Sequence, residues 1–211
     1  MTAAAQQPGP HHTAQHEDAA WVRIATPLAA ADLRLFLDDI ERLYRVNPLL
    51  ELSAFEATGG GTYRLAAHNL SNGRDIEVAL AVTPRETGID VRYSGGLKTA
   101  TSFSVESAAG EGGSHLVVTD VYEGGTEAER RARAGEVDLS LNAWGRALHD
   151  YLRAWTRWSW LAPWRWYMRR VWQPMTPSAR RIVWMIWVVS AFEVAALAAL
   201  LAIWLSLRWL A

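Results

Sequence analysis

The chain has 211 residues, a formal net charge of −1 and no cysteine. It therefore offers no disulfide, no cysteine-based metal site and no global positive field for nucleic acid. Tryptophan is the outlier: ten of its twelve copies lie between Trp155 and Trp209, the distribution of an aromatic belt at a membrane surface.

Residues 1–20 are rich in Ala, Gln, Pro and His and show no apolar periodicity. They read as a disordered tail, in which His11, His12 and His16 are solvated side chains rather than metal ligands. The same stretch has no apolar signal-peptide core, so no export signal is expected there. A short extended run, Trp21 to Ala25, ends at Thr26-Pro27. From Ala30 to Tyr44 the apolar residues Leu33, Phe36, Leu37, Ile40 and Leu43 recur at helical spacing, and the spacing predicts one helix stopped before Pro48.

From Leu50 to Glu123 the period changes to two. Strand-like runs span 52–57, 62–69, 76–83, 89–93, 99–106 and 115–122, separated by Gly59-Gly60-Gly61, Asn72-Gly73, Thr87-Gly88, Gly95-Gly96 and the stretch 110–114. Hairpin-short connections predict an antiparallel sheet. The alternation of Ile76, Val78, Leu80 and Val82 requires that one sheet face be covered. Residues 127–133 read as a charged, solvated stretch. A long helix is expected after Gly135, its stripe formed by Val137, Leu141, Trp144, Leu148, Tyr151, Leu152 and Trp155. This helix is the cover for the sheet.

Pro163 interrupts the pattern. Between Pro163 and Trp172 the sequence puts Trp164, Tyr167, Met168, Val171 and Trp172 on one side and Arg165 and Arg169 on the other. With Trp166 and Arg170 they form a candidate membrane-interface segment, 161–181, lying in the headgroup plane. Ser178 is the expected N-cap of the next helix. From Ile182 to Leu207, twenty-six residues carry one ionisable side chain, Glu193, and no Gly or Pro. Thirteen of them are Leu, Ile, Val or Phe. At about −0.3 to −0.6 kcal/mol each, these outweigh the roughly 3 kcal/mol cost of a central acid. The span 182–208 therefore reads as one transmembrane helix. Five arginines precede it (Arg165, Arg169, Arg170, Arg180, Arg181) and only Arg208 follows. The positive-inside rule then places the N-terminal domain in the cytoplasm, at a cell's inner (plasma) membrane.

No Ser-His-Asp order, HExxH, phosphate-cradling glycine loop or CxxC is present, and no catalytic residue, metal site or cofactor is assigned. The polar residues that alternation directs to the covered face are few: Tyr63 and Asn69 with Leu65 and Ala67, then Tyr93, Asp120 and Tyr122. With Trp144 and Leu148 of the covering helix they are the candidate lining of a ligand cavity. The competing reading is that their polar atoms satisfy one another within the sheet. Glu193 is a candidate contact to another membrane subunit, because an acid in a span calls for a partner. Ala191, Ala195, Ala196, Ala198 and Ala199 would let a second helix approach.

The order of strand, helix, about six antiparallel strands and long closing helix resembles the START-like, helix-grip SRPBCC superfamily of polyketide cyclases and lipid carriers. Locally, Val22-Arg23-Ile24-Ala25-Thr26-Pro27 resembles the family's opening strand. Leu37-Asp38-Asp39-Ile40 and Asn47-Pro48 resemble its first helix and following turn, and the run His115 to Gly124 its last strand. The resemblance covers 21–160. It implies an α+β fold with the sheet wrapped on the long helix around a cavity for a hydrophobic ligand: a lipid, an isoprenoid quinone or similar. The interfacial segment and the transmembrane helix are additions to it. Two other functions stay open at this point: an accessory subunit of a membrane complex, docked through its transmembrane helix, and a cyclase or aromatase.

Overall fold

The computed structural model describes residues 19–95, 98–108, 113–124 and 126–210. The tail histidines, Gly96 and residues 110–112 of the glycine-rich turn at 110–114 lie outside them. The described residues divide into two compact units, one running through Ala162 and one starting at Pro163.

The first unit is built on seven strands: β1 (Ala19–Thr26), β2 (Leu50–Gly59), β3 (Thr62–Asn69), β4 (Arg74–Arg85), β5 (Gly88–Tyr93), β6 (Ala100–Ser107) and β7 (Ser114–Val121). Their order in the sheet is β1-β7-β6-β5-β4-β3-β2, and every pairing is antiparallel. Strands β2 to β7 form a meander because each turn is too short for a crossover. Leu80 in β4 is fully buried while Glu77, Ala79 and Ala81 are exposed, as the period of two requires. Strand β4 runs on through Pro84, which a central strand excludes. Its pairing with β3 ends at Ala81 and only β5 continues beside it, so no ladder donor is missed there. Gly88 opens β5 under the tightest constraint in the sheet: a Cβ there would stand 1.8 Å from the Phe103 carbonyl oxygen.

The expected single helix at 30–44 is two helices, α1 (Ala30–Leu37) and α2 (Ile40–Arg45). The break falls at Asp39, whose carboxylate accepts the Arg42 N–H at 3.2 Å and caps α2. Apolar periodicity runs through the break because Leu33, Phe36, Leu37, Ile40 and Leu43 are all buried on the same side. Helix α1 lies against β5, β6 and β7, and α2 against β2.

Helix α3 (Glu127–Trp158) begins ahead of the expected start after Gly135. The stretch 127–133 consists of Glu, Ala and Arg, all good helix formers. One glycine, Gly135, costs only about 1 kcal/mol and does not break the helix. Val137, part of the expected stripe, lies outside the described side chains. Helix α3 packs across β1, where Gly145 brings the two backbones together: a Cβ would lie 3.1 Å from Val22 Cγ2. Leu141, Trp144, Leu148, Tyr151 and Leu152 form its buried stripe, each fully buried apolar side chain contributing about 1.5–3 kcal/mol. An antiparallel meander closed by the N-terminal strand and gripping a long C-terminal helix is the helix-grip α+β fold of START-like proteins.

The second unit holds α4 (Ala162–Tyr167), a π-helical turn at Met168–Trp172 and α5 (Pro177–Leu210). The widened turn is marked by the Gln173 N–H, which donates to the Met168 carbonyl five residues back at 2.9 Å. The cap of α5 is Thr176, not Ser178. Its hydroxyl accepts the Ala179 N–H at 3.2 Å, and Pro177 takes the first helical position, where its missing donor is not needed. Arg180 fixes the corner: it donates to the carbonyls of Trp172 and Gln173 at 3.1 and 2.9 Å, with its guanidinium 4.0 Å from the Trp172 ring. From Pro177 to Arg208, α5 is long and apolar enough to cross a membrane, and among the described residues its apolar stretch is exposed.

Candidate functional site

Between the sheet and α3 lies a cavity of about 320 Å³. Its apolar wall comes from Leu50, Leu65, Ile76, Val78 and Leu141, and it opens beside the β3–β4 turn, where Ser71, Asn72, Arg74 and Asp75 are exposed. One end is polar, formed by Tyr44, Tyr93, Lys98, Asp120 and Tyr122, with the Trp144 ring beside them.

Asp120 is the hub of that end and is 3% exposed. Strand β7 alternates Leu116, Val118 and Asp120 onto the covered face, so the same period that buries two aliphatic residues buries the acid. Asp120 Oδ1 accepts the Thr101 hydroxyl at 2.6 Å and the Lys98 ammonium at 2.7 Å, and Oδ2 accepts the Tyr122 hydroxyl at 3.1 Å. Thr101 is itself fully buried and bonds to Tyr93 at 2.8 Å, and Tyr93 bonds to Tyr44 at 2.5 Å. The Lys98 ammonium is 5.1 Å from the centre of the Tyr93 ring and 5.2 Å from that of Trp144, within cation–π range. The result is a continuous polar chain from α2 through β5, β6 and β7 to the segment before β6.

The electrostatics fix the protonation states. Burial pulls the Lys98 pKa down, but the attraction and hydrogen bond of Asp120, with smaller help from Tyr93 and Tyr122, outweigh it and raise it above the ordinary lysine value. Burial, then Tyr93 and Asp120, push the Tyr44 hydroxyl well above the usual tyrosine value. Burial and Asp120 likewise raise Tyr122 against the opposing effect of Lys98. Lys98 is thus an ammonium and both tyrosines are neutral over the physiological range.

Of the sequence candidates, the structure brings Asn69, Tyr93, Asp120, Tyr122 and Trp144 to the cavity and leaves Tyr63 and Leu148 outside its lining. Tyr63 packs its ring on Phe55 at 5.4 Å, further along β3. Leu148, one turn beyond Trp144, is fully buried in the core. The Asn69 side-chain Oδ1 is engaged in the β3–β4 turn, accepting from the Ser71 N–H and hydroxyl at 3.0 and 2.7 Å. Trp144 has two roles: its indole N–H donates to the Leu43 carbonyl at 3.0 Å, and its ring packs edge-on against Phe103 at 5.5 Å. Sequence reasoning missed Lys98, Tyr44 and Thr101. Lys98 does carry a signal in the sequence: it is the only lysine beside twenty arginines.

No family model matches the sequence, and no curated protein is similar to it. Solved structures are similar in fold. A START superfamily protein from Mycobacterium smegmatis is 19% identical with a TM-score of 0.49, over 64% of this chain and 96% of that one. A protein of Thermus thermophilus is 14% identical with a TM-score of 0.49, over 64% and 96%. The di-domain ARO/CYC BexL from the BE-7585A biosynthetic pathway is 15% identical with a TM-score of 0.45, over 62% of this chain and 46% of its own.

In the second unit, Trp164, Tyr167, Val171 and Trp172 are half-buried and Met168 is buried, whereas Arg165, Trp166, Arg169 and Arg170 are exposed. Trp166 therefore sits with the arginines. Glu193 is exposed on α5, and among the described residues it has no hydrogen bond or ion pair with its own chain. His68, itself outside the cavity lining, is paired at 2.7 Å with Asp75 of the cavity mouth.

Proposed function

We propose that this chain holds one hydrophobic small molecule, a lipid, an isoprenoid quinone or similar, in the cavity of its START-like domain. In this reading α5 anchors the domain at the cytoplasmic face of a plasma membrane. The observation that carries the ligand reading is the cavity: an apolar wall of Leu50, Leu65, Ile76, Val78 and Leu141 between an open mouth and a buried polar cluster around Asp120. That layout orients an amphiphile without requiring a reaction. Its volume is at the lower end of the roughly 300–1,000 Å³ typical of small-molecule sites, which suits a ring or a short chain with the remainder emerging from the mouth. The anchor reading is supported by α5, whose uncovered apolar surface is costly in water and favourable in hydrocarbon. Exposed Arg165, Trp166, Arg169 and Arg170 suit a headgroup layer. Glu193 is where a helix of another membrane subunit would dock.

The test is organic extraction and mass spectrometry of the full chain purified in mild detergent. The wild type is expected to carry a hydrophobic compound near one per chain, and Val78→Trp, which fills the apolar wall, to lose it with an unchanged circular-dichroism spectrum. Equal loads in the two proteins, or none in the wild type, would overturn the ligand reading. Orientation is read from Ser53→Cys, which places one thiol on an exposed position of an otherwise cysteine-free chain. An impermeant maleimide should label it in inverted vesicles only.

A further inference from the structure

The hydrogen atoms of the polar network can be placed by accounting alone. A carboxylate only accepts, so Thr101 gives its single hydroxyl proton to Asp120. Tyr93 must then be the donor to Thr101, and Tyr44 the donor to Tyr93. Tyr122 gives its proton to the other carboxylate oxygen. All four hydroxyl protons therefore run toward Asp120, and what these hydroxyls keep for a ligand is lone pairs. Lys98 is different. One of its three N–H bonds meets Asp120, and among the described residues two are left. Both line the cavity, but the Lys98 side chain is 24% exposed while that of Asp120 is 4% exposed, so the lysine is the more accessible member of the pair. The Tyr93 and Trp144 rings hold the ammonium in place beside the carboxylate.

From this arrangement we infer that the polar end is a head-group subsite centred on Lys98, selective for an uncharged amphiphile whose head carries a hydrogen-bond acceptor such as a carbonyl oxygen. The inference rests on the ligand reading above and adds the chemistry of the head. A neutral acceptor takes the free Lys98 N–H bonds and disturbs no existing pair. A carboxylate head brings a second negative charge beside Asp120, and the two must share one ammonium. An amine head brings a second positive charge to Lys98 and finds the Asp120 oxygens already met by three donors. At the buried end of the cavity, where Asp120 is 3% exposed, both charged heads also lose hydration that the balanced Lys98–Asp120 pair does not return. A hydroxyl adjacent to the acceptor would be accommodated too, by the lone pairs that the tyrosines keep.

The experiment is calorimetric titration of the full chain in a non-ionic detergent with four naphthalene probes of similar size: 2-acetylnaphthalene, 2-ethylnaphthalene, 2-naphthoate and 2-naphthylmethylamine. The wild type should bind the ketone at least about tenfold more tightly than the hydrocarbon, the carboxylate and the amine. In Lys98→Met the ketone should fall to the affinity of the hydrocarbon, whose own binding is unchanged. Lys98→Arg, which keeps a donor, should retain most of the preference. If Lys98→Met loses its near-ultraviolet circular dichroism, the wild-type series and Lys98→Arg decide. Equal binding of ketone and hydrocarbon by the wild type overturns the subsite and leaves the apolar cavity standing. Tightest binding of the carboxylate overturns it in favour of an anion site. Binding of none of the four overturns the subsite and the ligand reading together.

Discussion

The domain that ends at Ala162 and the apolar helix α5 both set ionisable groups among apolar residues, and they treat them in opposite ways. In the domain the chain supplies the partners. Asp120 is met by three donors. Arg42, 4% exposed, donates its Nε–H to the Tyr151 hydroxyl at 2.7 Å, and its guanidinium stands 3.8 Å from the Trp155 ring and 4.7 Å from that of Phe36. In α5, Glu193 receives no hydrogen bond or ion pair from its own chain among the described residues. A charge in a low-dielectric setting must be paired, solvated or neutralised. The domain therefore compensates its buried charges from within, whereas the described residues supply no such compensation for Glu193.

Asp120→Ala should break the domain's side of this comparison most severely. It strands the Lys98 ammonium and leaves Thr101 and Tyr122 without their acceptor, and removal of one member of a buried pair costs about 3–5 kcal/mol. Denaturant unfolding followed in the near ultraviolet reads the loss, and extractable ligand should fall with it. Arg42→Ala should cost less, about 2–4 kcal/mol, from the lost cation–π contacts and the lost hydrogen bond to the Tyr151 hydroxyl. Arg42 does not line the cavity, so ligand load per folded chain should stay at the wild-type level. A ligand loss in Arg42→Ala as large as in Asp120→Ala would erase the distinction between a charge that holds the fold and one that faces a ligand.

A completed network should also be indifferent to pH over a wide range. The pKa of Lys98 is raised on folding, so its contribution is present in full below the ordinary lysine value of about 10.4 and fades as pH rises through the higher folded value. Tyr44 and Tyr122 are raised above an ordinary value of about 10, and the same linkage makes them oppose folding only above it. All three act in the same direction. These groups therefore predict no change in stability or ketone binding between about pH 6 and 9, and a decline in both above about pH 10. A titration step in ketone binding near neutrality would show that the pair is not locked.

How much of this is legible in the sequence follows from which physical rule places each residue. Strict alternation reads directly, so Leu80, Val118 and Asp120 fall on the covered face without any geometry. Helical periodicity locates Leu33 to Tyr44 but hides the break at Asp39, because a capping carboxylate changes the backbone without changing which residues are buried. Glu127 to Arg133 reads as a charged, solvated stretch ahead of the helix because it carries no apolar stripe; helix propensity decides such a stretch. Arg42 looks like the polar face of a helix, and only the distant Tyr151 and Trp155 make it a buried cation. Lys98 lies in an irregular segment where no period applies. Its position over the cavity depends on Asp120, which is 22 residues away in sequence and adjacent through the β6–β7 ladder.

The smallest effect is expected from Glu193, where the comparison turns on something the chain does not contain. A protonated acid facing lipid can be replaced by leucine without loss, since leucine is the more favourable residue in hydrocarbon. An acid bonded to a helix of another subunit cannot, and interhelical polar contacts in membranes contribute roughly 0.6–2 kcal/mol. Glu193→Leu is expected to weaken retention of a co-purifying membrane protein by the corresponding three- to thirtyfold, with the domain still folded, the helix still inserted and the ligand load unchanged. Glu193→Gln, which keeps a hydrogen-bonding group, should retain more of the partner than Glu193→Leu does. Ala199→Leu, which enlarges a small position six residues further along α5, separates a packing contact from a polar one: a loss there with none at Glu193 would make packing, not the acid, the source of affinity. Pull-down from mild detergent with quantitative mass spectrometry measures all three. If every variant keeps what the wild type keeps, or the wild type keeps nothing, Glu193 is a neutral acid in lipid and α5 is an anchor alone.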